Sequence, residues 1–526
     1  MIISGYEIFK QQDPDLEMNI DETQNLLFSN QSYSNIFQII QKTALKNPKQ
    51  MAIITSNEKY NYLELILRIQ SITQVLREKN VKNNQLVLLI SESSINFCLM
   101  LLALNQIGAI AVIVSSKLTS VEMEQTVSGL DFSQCILSQG QLERYPLIES
   151  PLVIEEVVLE ANSIESLDEQ ENIIQADSPL IQLFTSGTTS KKKRVELTHK
   201  QLLHACYSYQ YVNQITADDK TIICNPIYHV TALIALFYTF LITGGTIYLH
   251  ERFDVERIEN ELEENKISYL HLSPTAYKLF LNKKKAKIFP YVRLVASGSS
   301  YLPSEIIRGL NQAFVNANIV SVYGLTETSS PGTILHHVEK KENYQSVGYP
   351  FPGVFLKILS QDNRDLGENK IGDIYLKGTN VIKDYVTQSD ESFYQGWLST
   401  GDIGYIDQTN RLFIVDRAKD MINRGGEKIF TTEIEESLYE VSGIKNCVAL
   451  GVPDELYGEI PVTVLSIDKN IPISLERIKA HLEQKLSRYK IPQKFYLMNH
   501  IPEIESGKFD KRKILKLILD GSVKEW

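Results

Sequence analysis

Cysteine is scarce in this chain and is never spaced for pairing. The five cysteines, Cys98, Cys135, Cys206, Cys224 and Cys447, form no C-x-x-C pair. That argues against a structural zinc site and a disulfide framework. The N-terminus, Met1 to Tyr6, lacks both a charged region and a long apolar run, so no secretory leader is expected and the location is read as cytoplasmic. Positive charge is short as well. The 53 Lys and Arg against 64 Asp and Glu leave a formal net charge of −11. Nucleic acid is therefore disfavoured as a partner, because neutralising phosphates needs a cationic face. Long apolar runs are also missing. Ser93 to Ser116 and Thr221 to His250 contain no Asp, Glu, Lys or Arg, yet polar residues, Pro226 and glycines divide them. Each piece falls short of the roughly 18–20 residues that span a bilayer. Both are expected as core, the first as a helix, Ile95 to Gln106, followed by a strand, Ala109 to Val114. Peripheral membrane contact is left open. There is no internal repeat, no low-complexity tract and no Walker A spacing.

What is present is the alternation of a layered α/β protein. At 526 residues the chain is too long for one ordinary core. Short β-branched runs such as Leu86–Ile90, Thr221–Ile223, Thr246–Leu249, Tyr269–Leu272 and Leu294–Ala296 alternate with helical patterns. That pattern predicts buried, largely parallel strands. Residues 347–415 change to closely spaced turns between strand-like runs, which reads as a small antiparallel β subdomain. Beyond Arg417 a separate α+β unit follows. Its first helix is expected from a capping box, Thr432-x-x-Glu435, with Ile434, Leu438 and Val441 on one face. The fold class is thus α/β, with a large N-terminal domain of layered subdomains plus a small β subdomain, and a smaller mobile α+β C-terminal domain. The boundaries read as an arm at 1–30 (or a surface strand), a large domain at 31–418 and a small domain at 419–526.

The most informative stretch is 185–195, Thr-Ser-Gly-Thr-Thr-Ser-Lys-Lys-Lys-Arg-Val. Thr185, Ser186, Thr188 and Thr189 offer hydroxyl donors. Gly187 lets backbone N–H groups approach an anion, and the cations offset polyphosphate charge. A strand, Ile181 to Phe184, leads into this loop, and a helix is expected from Thr198. Four further segments join it. In Tyr323-Gly324-Leu325-Thr326-Glu327-Thr328 an aromatic ring can cover a flat heterocycle, and Glu327 can hold Mg²⁺ through oxygen. Trp397 to Asp402 puts a carboxylate after a tight turn, where it can accept two ribose hydroxyls. Asp416 to Glu427 sits at the domain junction. Ser506 to Lys511 carries a lysine on a turn. Each alone is equally well a strand end, a β turn, a charged helix start or a solvated tail.

In this order, they closely resemble the adenylate-forming superfamily of acyl- and aryl-CoA synthetases, nonribosomal adenylation domains and beetle luciferases. The resemblance runs from about residue 35 to 515 and includes Val452-Pro453-Asp454, Tyr457-Gly458-Glu459 and Tyr489-Lys490-Ile491-Pro492. It implies an ATP-dependent carboxylic acid–thiol ligase that adenylates a small-molecule acid and transfers it to coenzyme A. The alternatives are loading of the phosphopantetheine arm of an acyl carrier protein, or a turnover-deficient nucleotide-binding relative. By motif position, Thr185 to Lys193 would hold the β- and γ-phosphates. Tyr323 with Gly324 and the Ser297-Gly298-Ser299 strand end would bracket adenine. Thr326 would touch the α-phosphate, Glu327 would bind magnesium, and Asp402 and Arg417 would hold the ribose. Lys508 would bridge the substrate carboxylate and the phosphate–ribose oxygen during adenylation. Lys419 matches the hinge, and Gly425-Gly426 would line the pantetheine tunnel.

The chain departs from that pattern in its phosphate loop. Ser190, Lys192 and Arg194 stand where glycine, proline and glycine are usual, and a positive φ at Ser190 or Arg194 would carry a steric cost. Ile504 replaces the usual threonine and Lys511 the usual arginine. For the substrate, residues 225–236 contain no acid to pair with an ammonium, which disfavours an α-amino acid. Pro226-Ile227-Tyr228-His229 resembles the acyl- and aryl-CoA ligase segment whose histidine gates the pocket. Ala232, Leu233, Ala235 and Leu236 suit a fatty or an aromatic acid, with a slight lean to a fatty one.

Overall fold

The computed structural model describes the chain except residues 147, 163–173, 186–192, 284–286, 337–345, 387–391, 469 and 504–507. The chain divides into two compact units. The larger holds Ile2–Leu356 and Leu376–Leu398; the smaller holds Lys357–Tyr375 and Ser399–Trp526, with Met1.

Two sheets with parallel centres organise the larger unit. In one, the strand order is Arg194–Thr198, Pro179–Phe184, Ile110–Ser115, Leu86–Ser91, Gln134–Leu137, Leu152–Val153. Its pairs are parallel except for the hairpin of the first two strands. In the other, Asn318–Tyr323, Leu294–Ser297, Tyr269–Leu272, Lys220–Ile223, Thr246–Leu249 and Met51–Ile54 run parallel. Antiparallel strands flank this parallel run on both sides. Burial on both faces explains why these strands read as continuous β-branched runs without alternation.

The first uncharged stretch is helix Ile95–Ile107 and strand Ile110–Ser115, with Ser94 Oγ accepting Phe97 N–H at 3.1 Å as the cap. The second is more unusual. After strand Lys220–Ile223, residues Thr231–Tyr238 form a π-helix that continues as the α-helix Thr239–Thr243. Among the described residues no helix is long and apolar enough to cross a membrane. The first thirty residues contribute a helix, Gly5–Gln12, and a hairpin, Met18–Ile20 with Leu26–Phe28. Asp21 at its turn accepts a hydrogen bond from Lys200 Nζ at 3.0 Å.

In the smaller unit, Gly458–Ile467 pairs antiparallel with Ile444–Asp454 and parallel with Lys494–Leu497. Alternate residues feed two cores. Cys447, Ala449 and Leu465 pack with Ile434, Leu438 and Leu482; Val448, Leu450 and Val464 pack with Ile514. Ile434, Leu438 and Val441 share one core, as their spacing predicts. The capping box does not form. Helix Thr431–Tyr439 has Phe430 at its N-cap, two residues before Thr432, with no side-chain cap. Thr432 Oγ1 instead donates to the Val415 carbonyl, and Glu435 Oε1 accepts Ala449 N–H at 2.9 Å. Tertiary partners have drawn both side chains away from the helix end they would otherwise cap.

Candidate active site

The expected phosphate loop lies between strands Pro179–Phe184 and Arg194–Thr198, which pair antiparallel. Ser186, Gly187, Thr188 and Thr189 lie outside the described residues, as do Ser190 and Lys192. The flanking residues Thr185 and Lys193 are described. Thr185 is buried, and its N–H donates to the Lys193 carbonyl at 2.9 Å. Arg194 is a strand residue opposite Phe184 and does not have a positive φ. The steric cost anticipated for an arginine at this glycine position is therefore absent.

One short segment ties this hairpin to the magnesium candidate. Lys193 Nζ lies 4.7 Å from the centroid of the Tyr385 ring and donates to Ser392 Oγ at 3.3 Å. The same tyrosine donates its O–H to Glu327 Oε1 at 2.7 Å. Val386 N–H donates to the Arg194 carbonyl at 3.1 Å, and Ile382 N–H to the Glu327 carbonyl at 2.9 Å. Residues 382–386 thus brace Glu327 and the hairpin together.

The Tyr323–Thr328 segment leaves strand Asn318–Tyr323 and turns through a 3₁₀ step, Thr326–Thr328. Gly324 is obligatory, because a Cβ there would stand 1.6 Å from the Ser330 carbonyl oxygen. Ser329 and Ser330 both adopt positive φ, 52° and 86°. Such conformations carry a cost of about 1–2 kcal/mol per non-glycine residue. Surrounding bonds hold them. Asn380 Nδ2 donates to the Thr328 and Pro331 carbonyls, both at 2.7 Å, Ser329 Oγ donates to the Asn380 carbonyl, and Tyr209 shares a 2.9 Å hydrogen bond with Ser330 Oγ. Thr328 to Ser330 are buried, whereas Tyr323, Gly324, Thr326 and Glu327 keep partial exposure. The side chains expected to meet nucleotide are thus the accessible ones. No group of three or more His, Cys, Asp or Glu among the described residues could hold a metal. Glu327 alone suits Mg²⁺, which commonly takes one or two carboxylates and completes its shell with phosphate oxygens and water.

Gly298 and Ser299 follow strand Leu294–Ser297, with Gly298 buried and Ser299 exposed at φ 72°. A Cβ at Gly298 would stand 3.5 Å from His271 Nε2. His271 is buried against Tyr209, and neither ring nitrogen has a hydrogen-bond partner among the described residues. Burial pushes its imidazole down to about 4, so the ring is neutral near pH 7. It sits near the carboxyl end of its strand, where open α/β sheets bind ligands. His229 packs on Tyr228 at 4.8 Å between ring centroids, and its carbonyl accepts Leu233 N–H at the entry to the π-helix.

The smaller unit carries the remaining candidates. Asp402 and Arg417 are cross-strand neighbours, with Arg417 Nε 3.1 Å from Asp402 Oδ1. Asp402 is buried while Arg417 is partly exposed, so the pair presents its guanidinium outward. Lys419 is exposed. Contacts bridge this expected hinge: the Asp416 carboxylate accepts from both N–H and Oγ1 of Thr431. Gly425 and Gly426 adopt φ 61° and 94° between strands Ile422–Arg424 and Glu427–Ile429. Gly425 N–H is held by the Tyr457 carbonyl at 2.8 Å, and Arg424 lies over the Tyr457 ring. Lys508 is partly exposed, beside Phe509, which forms an antiparallel bridge with Glu503; residues 504–507 lie outside the described residues.

Sequence reasoning did not single out Tyr385, Asn380, Ser392 or His271. Tyr385 and Asn380 stand in an ordinary loop sequence, Gly378-Thr-Asn-Val-Ile-Lys-Asp-Tyr385, whose partners lie some 50 to 190 residues away. For His271 a signal existed: a lone histidine in an apolar strand, Tyr-Leu-His-Leu.

Comparison with known proteins agrees with this geometry. Residues 40–386 match the family described as AMP-binding enzyme, and residues 433–508 match AMP-binding enzyme C-terminal domain. The chain is 29% identical over 487 residues to a 2-succinylbenzoate–CoA ligase of Oceanobacillus iheyensis, covering 90% of this chain and 98% of that protein. It is 28% identical to an oxalate–CoA ligase of Arabidopsis thaliana, covering 92% and 98%. Among solved structures, the o-succinylbenzoate CoA synthetase of Bacillus subtilis in complex with its acyl-adenylate intermediate aligns with a TM-score of 0.84 at 25% identity, covering 91% of this chain and 98% of that one. The same enzyme in complex with ATP and magnesium ion aligns at 0.83 and 25% identity, covering 91% and 99%. On the span of these matches and the order of its motifs, the chain belongs to the AMP-binding, adenylate-forming enzyme family.

Proposed function

We propose that this chain is an ATP-dependent, AMP-forming acid–CoA ligase. The observation that carries the reading is the Tyr385 side chain, which meets both Glu327 and Lys193 and so couples a metal-binding carboxylate to the lysine of the phosphate loop. Adenylation joins two anions, a carboxylate and a triphosphate, so its barrier is dominated by charge. The acid's oxygen attacks the α-phosphorus, the α–β bond breaks and pyrophosphate leaves. The thiol of coenzyme A then attacks the acyl carbon and AMP departs. Lys193 and the loop would receive the β- and γ-phosphates, and Thr326 the α-phosphate. Glu327 would hold Mg²⁺, which when bound neutralises phosphate charge. Tyr323, Gly298 and Ser299 would bracket adenine, and Asp402 with Arg417 the ribose. Lys508 supplies the ammonium of the adenylation step, and His229 gates the acid pocket.

For the acid, we favour an aromatic or short one bearing a second oxygen-containing group over a plain fatty acid. His271 supports this choice, since a buried imidazole with both nitrogens unsatisfied gains by meeting an oxygen. The substrates named for the relatives, 2-succinylbenzoate and oxalate, carry such a group. The lean toward a fatty acid has no counterpart among them. Coenzyme A is taken as the acceptor because these relatives are CoA ligases.

The test is acid-dependent exchange of labelled pyrophosphate into ATP over fatty, aryl and dicarboxylic acids, followed by thioester formation with coenzyme A or with a loaded carrier protein. Exchange with a keto- or carboxy-bearing acid, and CoA thioester as product, is expected. His271→Leu should shift the kcat/KM ratio toward the unsubstituted analogue by about tenfold, the value of one lost hydrogen bond in a buried site. Absence of exchange with every acid would refute the ligase, and carrier-only transfer would change the acceptor.

A further inference from the structure

Lys511 sits at the first position of helix Lys511–Leu519 and faces three acidic or hydroxyl partners from two other segments. Its Nζ lies 3.3 Å from Asp420 Oδ2 and 3.8 Å from Glu435 Oε1, and it donates to Thr431 Oγ1 at 3.1 Å. Each of these partners is itself held. Thr431 bonds the Asp416 carboxylate, and Glu435 Oε1 accepts Ala449 N–H. Asp420 directly follows Lys419, and its N–H donates to the Arg417 carbonyl. One ammonium therefore joins the residue after the expected hinge, the first turn of helix Thr431–Tyr439 and the start of the last helix.

That last helix begins three residues beyond Lys508. Between them the chain is closed locally: Asp510 N–H donates to the Pro502 carbonyl at 2.8 Å, and the Asp510 side chain caps Lys513 N–H at 3.0 Å. The chain from Lys508 to the last helix is thus fastened to the rest of the smaller unit at Asp510 and Lys511. A carboxylate cluster without its cation would separate by mutual repulsion, because Asp416, Asp420 and Glu435 have no other described lysine or arginine salt-bridge partner within 4.0 Å.

We infer that Lys511 is a positioning residue for adenylation, holding the chain just beyond Lys508 in fixed register with Asp420 and the helix Thr431–Tyr439. The inference rests on the ligase reading, in which Lys508 serves adenylation and Gly425-Gly426 serve thioester formation. Gly425-Gly426 are fastened separately, through the Tyr457 carbonyl and Asn423 Oδ1. The two half-reactions should accordingly respond differently to loss of Lys511.

The test uses the full chain and measures the half-reactions apart: pyrophosphate exchange for adenylation, and CoA thioester formation from supplied acyl-adenylate. Lys511→Met should lower kcat of exchange 10- to 100-fold, with KM for ATP within about threefold, while thioester formation stays within threefold. Lys511→Arg, which keeps the charge, should restore exchange to within about threefold of the parent. Asp420→Asn, which weakens the same tie from the other end, should give a smaller loss in the same half-reaction and serves if the methionine variant does not fold. An equal fall in both half-reactions, or no selective change in any of these variants, would overturn the positioning role. Failure of the unaltered chain to exchange pyrophosphate with any acid would instead overturn the ligase reading itself.

Discussion

Tyr385 donates its phenolic proton to Glu327 Oε1 at 2.7 Å while its ring lies 4.7 Å from Lys193 Nζ. The carboxylate is thereby aimed by a group that also receives a cation on its face. Hydrogen bonds to ionised groups contribute about 1.5–3 kcal/mol. Tyr385→Phe removes the first contact and keeps most of the second. Pyrophosphate exchange should fall about tenfold at saturating ATP, with half-maximal Mg²⁺ moving upward. Tyr385 is buried, but phenylalanine keeps the ring and its packing, so thermal stability should fall by no more than about the 1.5–3 kcal/mol of the lost hydrogen bond. Unchanged Mg²⁺ dependence would remove Tyr385 from the aiming of Glu327.

Asn380 makes a second, purely structural demand. It is buried and satisfies the carbonyls of Thr328 and Pro331 with one amide group. Those carbonyls flank Ser329 and Ser330, the two serines at positive φ. Asn380→Ala leaves both acceptors unpaired in the interior, at about 1–3 kcal/mol each. The expected outcome is a loss of about 2–4 kcal/mol in urea unfolding, together with weakened nucleotide binding. A loss below about 1 kcal/mol would mean that the turn is held without the Asn380 amide, by the Tyr209 hydroxyl and the Ser329 bond to the residue 380 carbonyl.

Most of the fold could be read from residue patterns because its parallel strands are buried on both faces. Leu86–Ser91 and Thr246–Leu249 cannot satisfy any other environment, so short-range pattern and tertiary place agree. The capping box at Thr432 and Glu435 shows where such reading stops. Its local bonds are available in any isolated helix, yet Val415 and Ala449 offer the same side chains better-placed partners. Tyr385 was illegible for a related reason. Its role comes from Glu327, 58 residues away, and no periodicity encodes that meeting. The Asp402–Arg417 pair was anticipated as two separate ribose contacts. Its direct cross-strand pairing follows from register, which turn positions alone did not supply.

Arg194 reverses an expectation about loop repair. If the arginine strained a glycine position, replacing it by glycine would raise turnover. Arg194 instead pairs with Phe184 in a regular antiparallel register, and its carbonyl receives Val386 N–H. Glycine there would add backbone freedom to a strand at about 0.5–1 kcal/mol and remove a cation beside the loop. Arg194→Gly should therefore leave exchange unchanged or lower it, with KM for ATP raised. A gain in kcat would show that the arginine side chain obstructs the loop by some means other than φ.

Three histidines of the larger unit set an acid limit on its stability. His199, His204 and His271 are all buried, and burial lowers each imidazole to about 4 from the ordinary 6.5. His204 is the best satisfied, between the Tyr33 hydroxyl and the Pro352 carbonyl, and is still held neutral. The unfolded chain binds these protons from pH 6.5 downward, while the folded chain refuses them until about 4. Stability is therefore complete above pH 6.5 and is lost as pH falls through that window. Each imidazole contributes on the order of 3 kcal/mol over the whole interval, and together they are comparable to the stability of an ordinary domain, roughly 5–15 kcal/mol. Urea titrations at pH 7, 6 and 5 should show a steep decline that continues toward pH 4. His271→Gln removes one of the three protons and should make the slope shallower by about a third. An unchanged slope would mean that His271 is protonated in the folded chain, which would also cancel its proposed part in selecting the acid.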